Sequence, residues 1–254
     1  MELKKKDKTI AIILAGGVGS RMAAEIPKQY MELAGKPVLA HSLIAFEKSP
    51  VDGIFVVCGA AYKEMIQKDI VTKYGIKKFS GFADSGSERV WSVKNGIDAV
   101  LGNPVGSCKT EERKTCENIY LMIHDGARPL VSQELIARCM AGVKEYAAVV
   151  PGLPLKDTIK EISGDDVVST PDRNKFVAVQ TPQCFRGDVI IKAYEGYAAA
   201  CGSNEQGGFI PTDDASLVEM FTETGVKVVP GDEDNLKMTV PSDMKKLEMM
   251  LDGS

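Results

Sequence analysis

Short runs that are apolar almost throughout and rich in β-branched residues recur along the chain at 9–14, 54–58, 119–123, 148–150 and 226–229. A strand with one wet face alternates polar and apolar residues. These runs do not, so both of their faces must be covered, as in a buried parallel sheet. Between them the spacing turns helical. Leu135, Ile136, Cys139, Met140 and Val143 follow Ser132, which suits an N-cap, and Met244, Leu247 and Leu251 follow Pro241, which suits a first turn. Strand alternating with helix predicts the α/β class, a mainly parallel sheet flanked by helices. A chain of 254 residues fits one large domain over 1–254.

Two segments break the alternation. Residues 103–117 are polar and charged and read as a solvated loop without chemistry. Residues 156–161, then Gly164-Asp165-Asp166, then 167–169 read as a β-hairpin, the core of a projecting arm over about 154–179. A lone hairpin cannot bury its own faces, so a second copy of the chain is its natural partner.

The charge balance of 31 basic against 35 acidic residues, net −4, provides no global basic field for a nucleic-acid backbone. The lysines at 4–6 ahead of the apolar run at 10–14 imitate a signal peptide, but the run is short and passes into Gly16-Gly17 instead of a cleavage site. No apolar run approaches the roughly 18 residues of a membrane span. The six cysteines, Cys58, Cys108, Cys116, Cys139, Cys184 and Cys201, lack the paired spacing of a zinc site and read as buried or incidental thiols of a reducing cytoplasm.

The first strand runs into Leu14-Ala15-Gly16-Gly17-Val18-Gly19-Ser20-Arg21-Met22, a glycine turn at the carboxyl end of a parallel strand, where open α/β sheets bind ligands. Glycines let backbone N–H groups approach a phosphate. A Walker A loop needs Lys-Ser/Thr after its last glycine and a dinucleotide fingerprint needs glycine at position 22; position 20 is Ser, 21 is Arg and 22 is Met, so both fail. The cations Arg21 and Lys28 beside this turn suit the charge that builds on a phosphorus centre under attack. Asp125, in His124-Asp125-Gly126-Ala127-Arg128-Pro129 after another apolar run, is the candidate ligand for Mg²⁺. His41 and His124 are the only histidines and receive no catalytic role, because a phosphate nucleophile is already ionised at neutral pH.

Eight motifs occur in one order: 15–22 with Pro27-Lys28-Gln29; Gly86-Ser87-Glu88-Arg89 with Ser92-Val93; 124–129; Lys156-Asp157-Thr158; Asp172-Arg173-Asn174; Gln180-Thr181-Pro182-Gln183; Thr212-Asp213-Asp214-Ala215-Ser216; and Asn235-Leu236-Lys237. In this order the chain resembles the 2-C-methyl-D-erythritol 4-phosphate cytidylyltransferases from about residue 9 to 251. The resemblance implies a Rossmann-like nucleotidyltransferase fold and a homodimer whose hairpin arms complete each other's sites. It implies that Arg21 and Lys28 stabilise the transition state, and that Arg173 and Lys237 place the sugar phosphate for attack on the α-phosphorus of CTP. Thr158 and Thr212 would touch the sugar-alcohol phosphate, and Ala15, Gly16, Gly17, Gly86, Ser87 and Ser92 would hold CTP. Asp125 would face Mg²⁺ with Arg128 in support, and Asp234 is a second metal candidate.

Ala15-Gly16-Gly17 stands where the family often has Ala-Ala-Gly, and the Gly-Gly form also resembles ribitol 5-phosphate cytidylyltransferases. Asp125-Gly126-Ala127-Arg128 sides with the methylerythritol enzymes. The alternatives are the ribitol enzyme, a nucleotide-binding regulatory protein without turnover, and a dehydrogenase, for which the third glycine is missing.

Overall fold

A computed structural model describes residues 6–17, 26–102, 115–203 and 211–252. Its strands, in chain order, are β1 (Lys8–Leu14), β2 (Glu32–Leu33), β3 (Lys36–Pro37), β4 (Gly53–Cys58), β5 (Phe79–Asp84), β6 (Ile119–Asp125), β7 (Ala148–Pro154), β8 (Glu161–Ser163), β9 (Asp166–Ser169), β10 (Val177–Val179), β11 (Gln183–Arg186) and β12 (Lys227–Pro230). The helices are α1 (Val38–Lys48), α2 (Lys63–Met65, continued as a π-helix over Ile66–Thr72), α3 (Arg89–Leu101), α4 (Gln133–Tyr146), α5 (Gly187–Ser203), α6 (Asp214–Phe221) and α7 (Pro241–Asp252).

Eight strands form one sheet in the order β10-β7-β11-β6-β1-β4-β5, with β12 also paired to β7. β1 lies parallel to β4 and β6, and β4 to β5, so the α/β sheet is mainly parallel at its centre. β1 shows why these runs are apolar throughout. Ala11 and Ile13 enter a core with Leu43 and Phe46 of α1 and Leu135 and Val143 of α4, whereas Ile12 enters the opposite core with Val93 and Ile97 of α3 and Tyr194 of α5. Period 2 places neighbours on opposite faces, and helices cover both.

The sheet also holds an antiparallel strand that the apolar pattern does not reveal. β11 inserts between β6 and β7 and runs against both, and β10 runs against the far half of β7. Gln183 and Arg186 bound it, so it carries only a two-residue apolar core. At the other edge β5 includes Ser80 and Gly81 and is only partly buried.

The helix expected after Ser132 is α4, with the Ser132 hydroxyl accepting from the Leu135 N–H at 3.2 Å, a cap worth about 1 kcal/mol. Of the loop expected at 103–117, residues 103–114 lie outside the described ones. Its last residues form a 3-10 turn, Thr115–Asn118, in which Cys116 is buried instead of solvated. Cys58, Cys139 and Cys184 are buried and Cys201 is exposed, with no disulfide among the described residues; Cys108 lies outside them. The hairpin is present as β8–β9, but its first strand begins at Glu161, and residues 156–160 form no strand. No helix among the described residues is long and apolar enough to cross a membrane.

Candidate functional site

The central parallel strands end on one edge, at Leu14, Asp84 and Asp125, and the antiparallel β11 begins there at Gln183. The loops leaving them surround a cavity of about 390 Å³ lined by Gly16, Gly17, Lys28, Gly86, Ser87, Arg89, Ser92, Asp125 and Lys237, among others. A second cavity of about 330 Å³ adjoins it, lined by Arg128, Gln180, Thr181, Thr212 and Asp213 among others. Arg89, Asp125 and Lys237 face both.

Glycine is required in the first wall by close approach. A Cβ on Gly16 would lie 2.3 Å from the Cβ of Ser85, and one on Gly86 would lie 2.4 Å from that of Trp91. The loops after β1 and β5 can meet only without the first of these atoms, and the serine loop can fold onto the first turn of α3 only without the second. The glycine turn is then stapled to the following segment. The Gln29 amide donates to the carbonyls of Ala15 (2.7 Å) and Gly17 (2.9 Å), and the Tyr30 hydroxyl donates to Ala15 (2.7 Å). That anchoring brings Lys28 to the cavity wall, where its Nζ donates to the Met238 carbonyl at 2.7 Å. The Ser92 hydroxyl accepts from the Gly86 N–H at 2.9 Å and donates to the Glu88 carbonyl at 3.1 Å, holding the serine loop against the first turn of α3.

Asp125 is the focus of the site. Lys237 Nζ lies 2.7 Å from its Oδ2, Arg89 Nε 3.7 Å from Oδ1 and Arg128 Nε 3.9 Å from Oδ2. Burial alone would raise its pKa, but Arg89, Lys237 and Arg128 outweigh burial and hold the carboxyl well below the usual range, so it is ionised at neutral pH. The backbone aims these groups. The Asp125 N–H donates to Thr181 Oγ1 (3.1 Å), the Arg128 guanidinium to the Asn235 carbonyl (2.7 Å), and the Met238 N–H to the Ala127 carbonyl (2.8 Å), which sets Lys237 against Asp125.

Arg89 is bound on its other side by Asp214, with Nη2 2.8 Å from Oδ2. Asp214 is 1% exposed and also accepts from the Tyr194 hydroxyl at 2.7 Å. Arg89 and Asp214 fall within the ordered motifs, but the motifs assign neither a role, and the sequence does not single out Gln29, Gln183 or Tyr194. A buried carboxylate paired across 125 residues leaves no local periodic signal.

The structure gathers Gly16, Gly17, Lys28, Gly86, Ser87, Ser92, Asp125 and Lys237 in the first cavity, and Arg128 and Thr212 in the second. Ala15 is buried and meets the site through its carbonyl only. Arg173 and Thr158 line neither cavity. Thr158 is exposed, and Arg173 donates to the Lys156 carbonyl at the root of the arm. Asp234 is exposed and also lines neither. Arg21 lies outside the described residues.

Among the described residues no cluster of three metal-ligating side chains exists. Mg²⁺ is nevertheless compatible with Asp125, because it is commonly held by one or two carboxylates together with substrate phosphates. An ionised Asp125 facing the cavity of about 390 Å³ fits that requirement. Arg128 Nε, buried and without a hydrogen-bond partner among the described residues, is an unspent donor beside it.

Both histidines contact backbone carbonyls, His41 that of Leu33 and His124 that of Arg128, and neither lines either of these two cavities. Cations and backbone donors thus dominate the site, and side-chain proton carriers do not. On this sheet that is the layout of a nucleotidyltransferase. The family model IspD, 2-C-methyl-D-erythritol 4-phosphate cytidylyltransferase, matches residues 9–253. The cytidylyltransferase of that name from Lachnoclostridium phytofermentans is 37% identical over 246 residues, covering 96% of this chain and 97% of its own. The one from Alkaliphilus metalliredigens is 39% identical over 239 residues, 93% of this chain and 90% of its own. Among solved structures, the 4-diphosphocytidyl-2C-methyl-D-erythritol synthase of Anaerococcus prevotii superposes with a TM-score of 0.77 at 29% identity, covering 97% and 96% of the two chains. The chain belongs to the 2-C-methyl-D-erythritol 4-phosphate cytidylyltransferase family.

Proposed function

We propose that the protein transfers CMP from CTP to 2-C-methyl-D-erythritol 4-phosphate, giving 4-diphosphocytidyl-2-C-methyl-D-erythritol and pyrophosphate in the cytoplasm. One observation carries the reading: Asp125, Lys237 and Arg89 stand where two cavities meet, in a chain of this family. The cavity walled by Gly16, Gly17, Gly86, Ser87 and Ser92 takes the triphosphate and nucleoside, and the one bounded by Arg128 and Thr212 takes the acceptor. The two relatives reported above carry the methylerythritol name, which favours that acceptor over ribitol 5-phosphate.

An acceptor phosphate oxygen attacks the α-phosphorus as the bond to the bridging oxygen of the β-phosphate breaks, and that electron pair leaves with pyrophosphate. The nucleophile is ionised at neutral pH, so no general base is needed, which agrees with the placement of both histidines. Lys28 offsets the charge gathering on the equatorial and leaving oxygens, and Lys237 places the acceptor phosphate. Arg21 belongs to the same set by its motif. Asp125 would hold Mg²⁺ against the triphosphate, where the ion would supply charge neutralisation of the leaving pyrophosphate.

Arg173 and Thr158 lie on the arm, away from both cavities of their own chain, and this supports a homodimer in which each arm reaches its partner's site. Pyrophosphate release tests the reading, with CTP and Mg²⁺ and either methylerythritol 4-phosphate or ribitol 5-phosphate as acceptor, and UTP and ATP as controls. Release is expected only with CTP and methylerythritol 4-phosphate. Release only with the ribitol compound would reassign the acceptor, and none with either would end the catalytic reading.

A further inference from the structure

Arg89 sits between two carboxylates and is committed to one of them. Its Nη2 hydrogen-bonds Asp214 Oδ2 at 2.8 Å, whereas its Nε stays 3.7 Å from Asp125 Oδ1, beyond hydrogen-bond distance. Arginine frequently closes on a carboxylate with two parallel hydrogen bonds, and at Asp125 Arg89 does not close.

The restraint comes from the Asp214 side. Oδ1 accepts from the Tyr194 hydroxyl at 2.7 Å, and Tyr194 is fully buried in the core beneath α5. The Asp214 N–H donates to Gln183 Oε1 at 3.0 Å, and the Gln183 amide donates to Asp213 Oδ2 at 2.9 Å. A carboxylate tied at both oxygens and at its backbone cannot follow Arg89 toward Asp125. Lys237 pairs with Asp125 Oδ2 at 2.7 Å, and Arg89 faces Oδ1 at its 3.7 Å standoff.

We propose that Asp214 and Tyr194 are positioning residues that hold Arg89 off Asp125, keeping Oδ1 of that carboxylate available to a divalent cation bound with the nucleotide. The inference rests on the function proposed above. Arg89 released from Asp214 closes on Asp125 and competes with the metal. The same tether keeps Arg89 at the junction of the two cavities, and it joins the serine loop after β5 to the segment carrying Thr212.

The test reads metal binding directly. Free Mn²⁺ is followed by electron paramagnetic resonance while Mn²⁺ is titrated into the full-length protein with CTP, without acceptor. D214N is expected to weaken Mn²⁺ binding by about tenfold, and Y194F to weaken it by a smaller factor, with D214E restoring part of the loss. The deciding comparison is R89Q against R89Q/D214N. Equal Mn²⁺ affinity in these two is expected, because without Arg89 nothing remains to collapse. If D214N weakens binding by the same factor in both backgrounds, Asp214 acts only through its own charge and the proposal is overturned. Wild-type affinity in D214N also overturns it. If D214N does not fold, Y194F decides, and unchanged affinity in a folded Y194F removes the tether. Failure of the wild-type protein to bind Mn²⁺ with CTP would count against the proposed function itself, and this inference would fall with it.

Discussion

Asp125 is 8% exposed, yet three cations keep it charged, so the site at rest holds paired charges that a polyphosphate and its metal can redistribute. Lys28 approaches the same centre from the glycine-turn side, fixed by its bond to the Met238 carbonyl one residue beyond Lys237. Lys28→Ala is expected to lower kcat by roughly 10²-fold, the cost of one preorganised donor at a transition state, with far-ultraviolet circular dichroism unchanged. Unchanged turnover would remove Lys28 from the reaction. His124 makes a different prediction. Burial pushes its pKa down from 6.5 to about 4, so between those values the unfolded chain binds a proton that the native one refuses. Stability is therefore complete above pH 6.5 and falls as the pH drops toward 4, by about 3 kcal/mol from this group. Urea unfolding of the metal-free protein across that range should show the decline, and His124→Gln should flatten it; an equally steep curve in the variant would assign the proton elsewhere. Asp125, Lys28 and the glycines were legible because each follows an apolar run or sits in a motif. Arg89, Asp214 and Tyr194 were not, since their partnership spans three elements and forms only after folding.

At the scale of elements, the buried parallel strands were readable because full burial on both faces writes an unbroken apolar run into the sequence. β11 escaped because four residues held between two strands need little apolar content of their own, and β5 because an edge strand tolerates Ser80 and Gly81. The β8–β9 arm was legible from its turn, and its composition still lacks an explanation within one chain. Ile162 and Val167 face each other across the hairpin while 65% and 59% exposed, and Val168 is also 59% exposed. A two-stranded hairpin with such a surface is marginal by itself. Val167→Asp would place a charge where the proposed dimer buries a methyl pair, and should raise the dimer dissociation constant by about 10²-fold. Light scattering behind size exclusion at micromolar protein would then report a monomer, with the sheet intact because the arm's strands contribute nothing to the buried core clusters. A dimer of unchanged stability would place the interface elsewhere.

For the whole molecule, the decisive question is which arm serves which site. Arg173 and Lys28 lie on different parts of one chain, and Arg173 lines neither cavity of that chain. Consider Lys28→Ala and Arg173→Ala, each with little activity alone, co-expressed with different tags. If each site takes its partner's arm, a mixed dimer has one site that combines both defects. The other site has an intact Lys28 from one chain and an intact Arg173 from the other. Random pairing makes half of the dimers mixed, so about a quarter of all sites are wild type and about a quarter of wild-type activity returns. If each arm serves its own body, every site in the mixed dimer carries one defect and nothing returns. Purifying the mixed dimer through both tags sharpens the contrast, because half of its sites should then turn over at the wild-type rate with unaltered KM for both substrates. Recovery with a raised KM for the acceptor would mean that the arm contributes to both sites at once, and no recovery would confine each active site to a single chain.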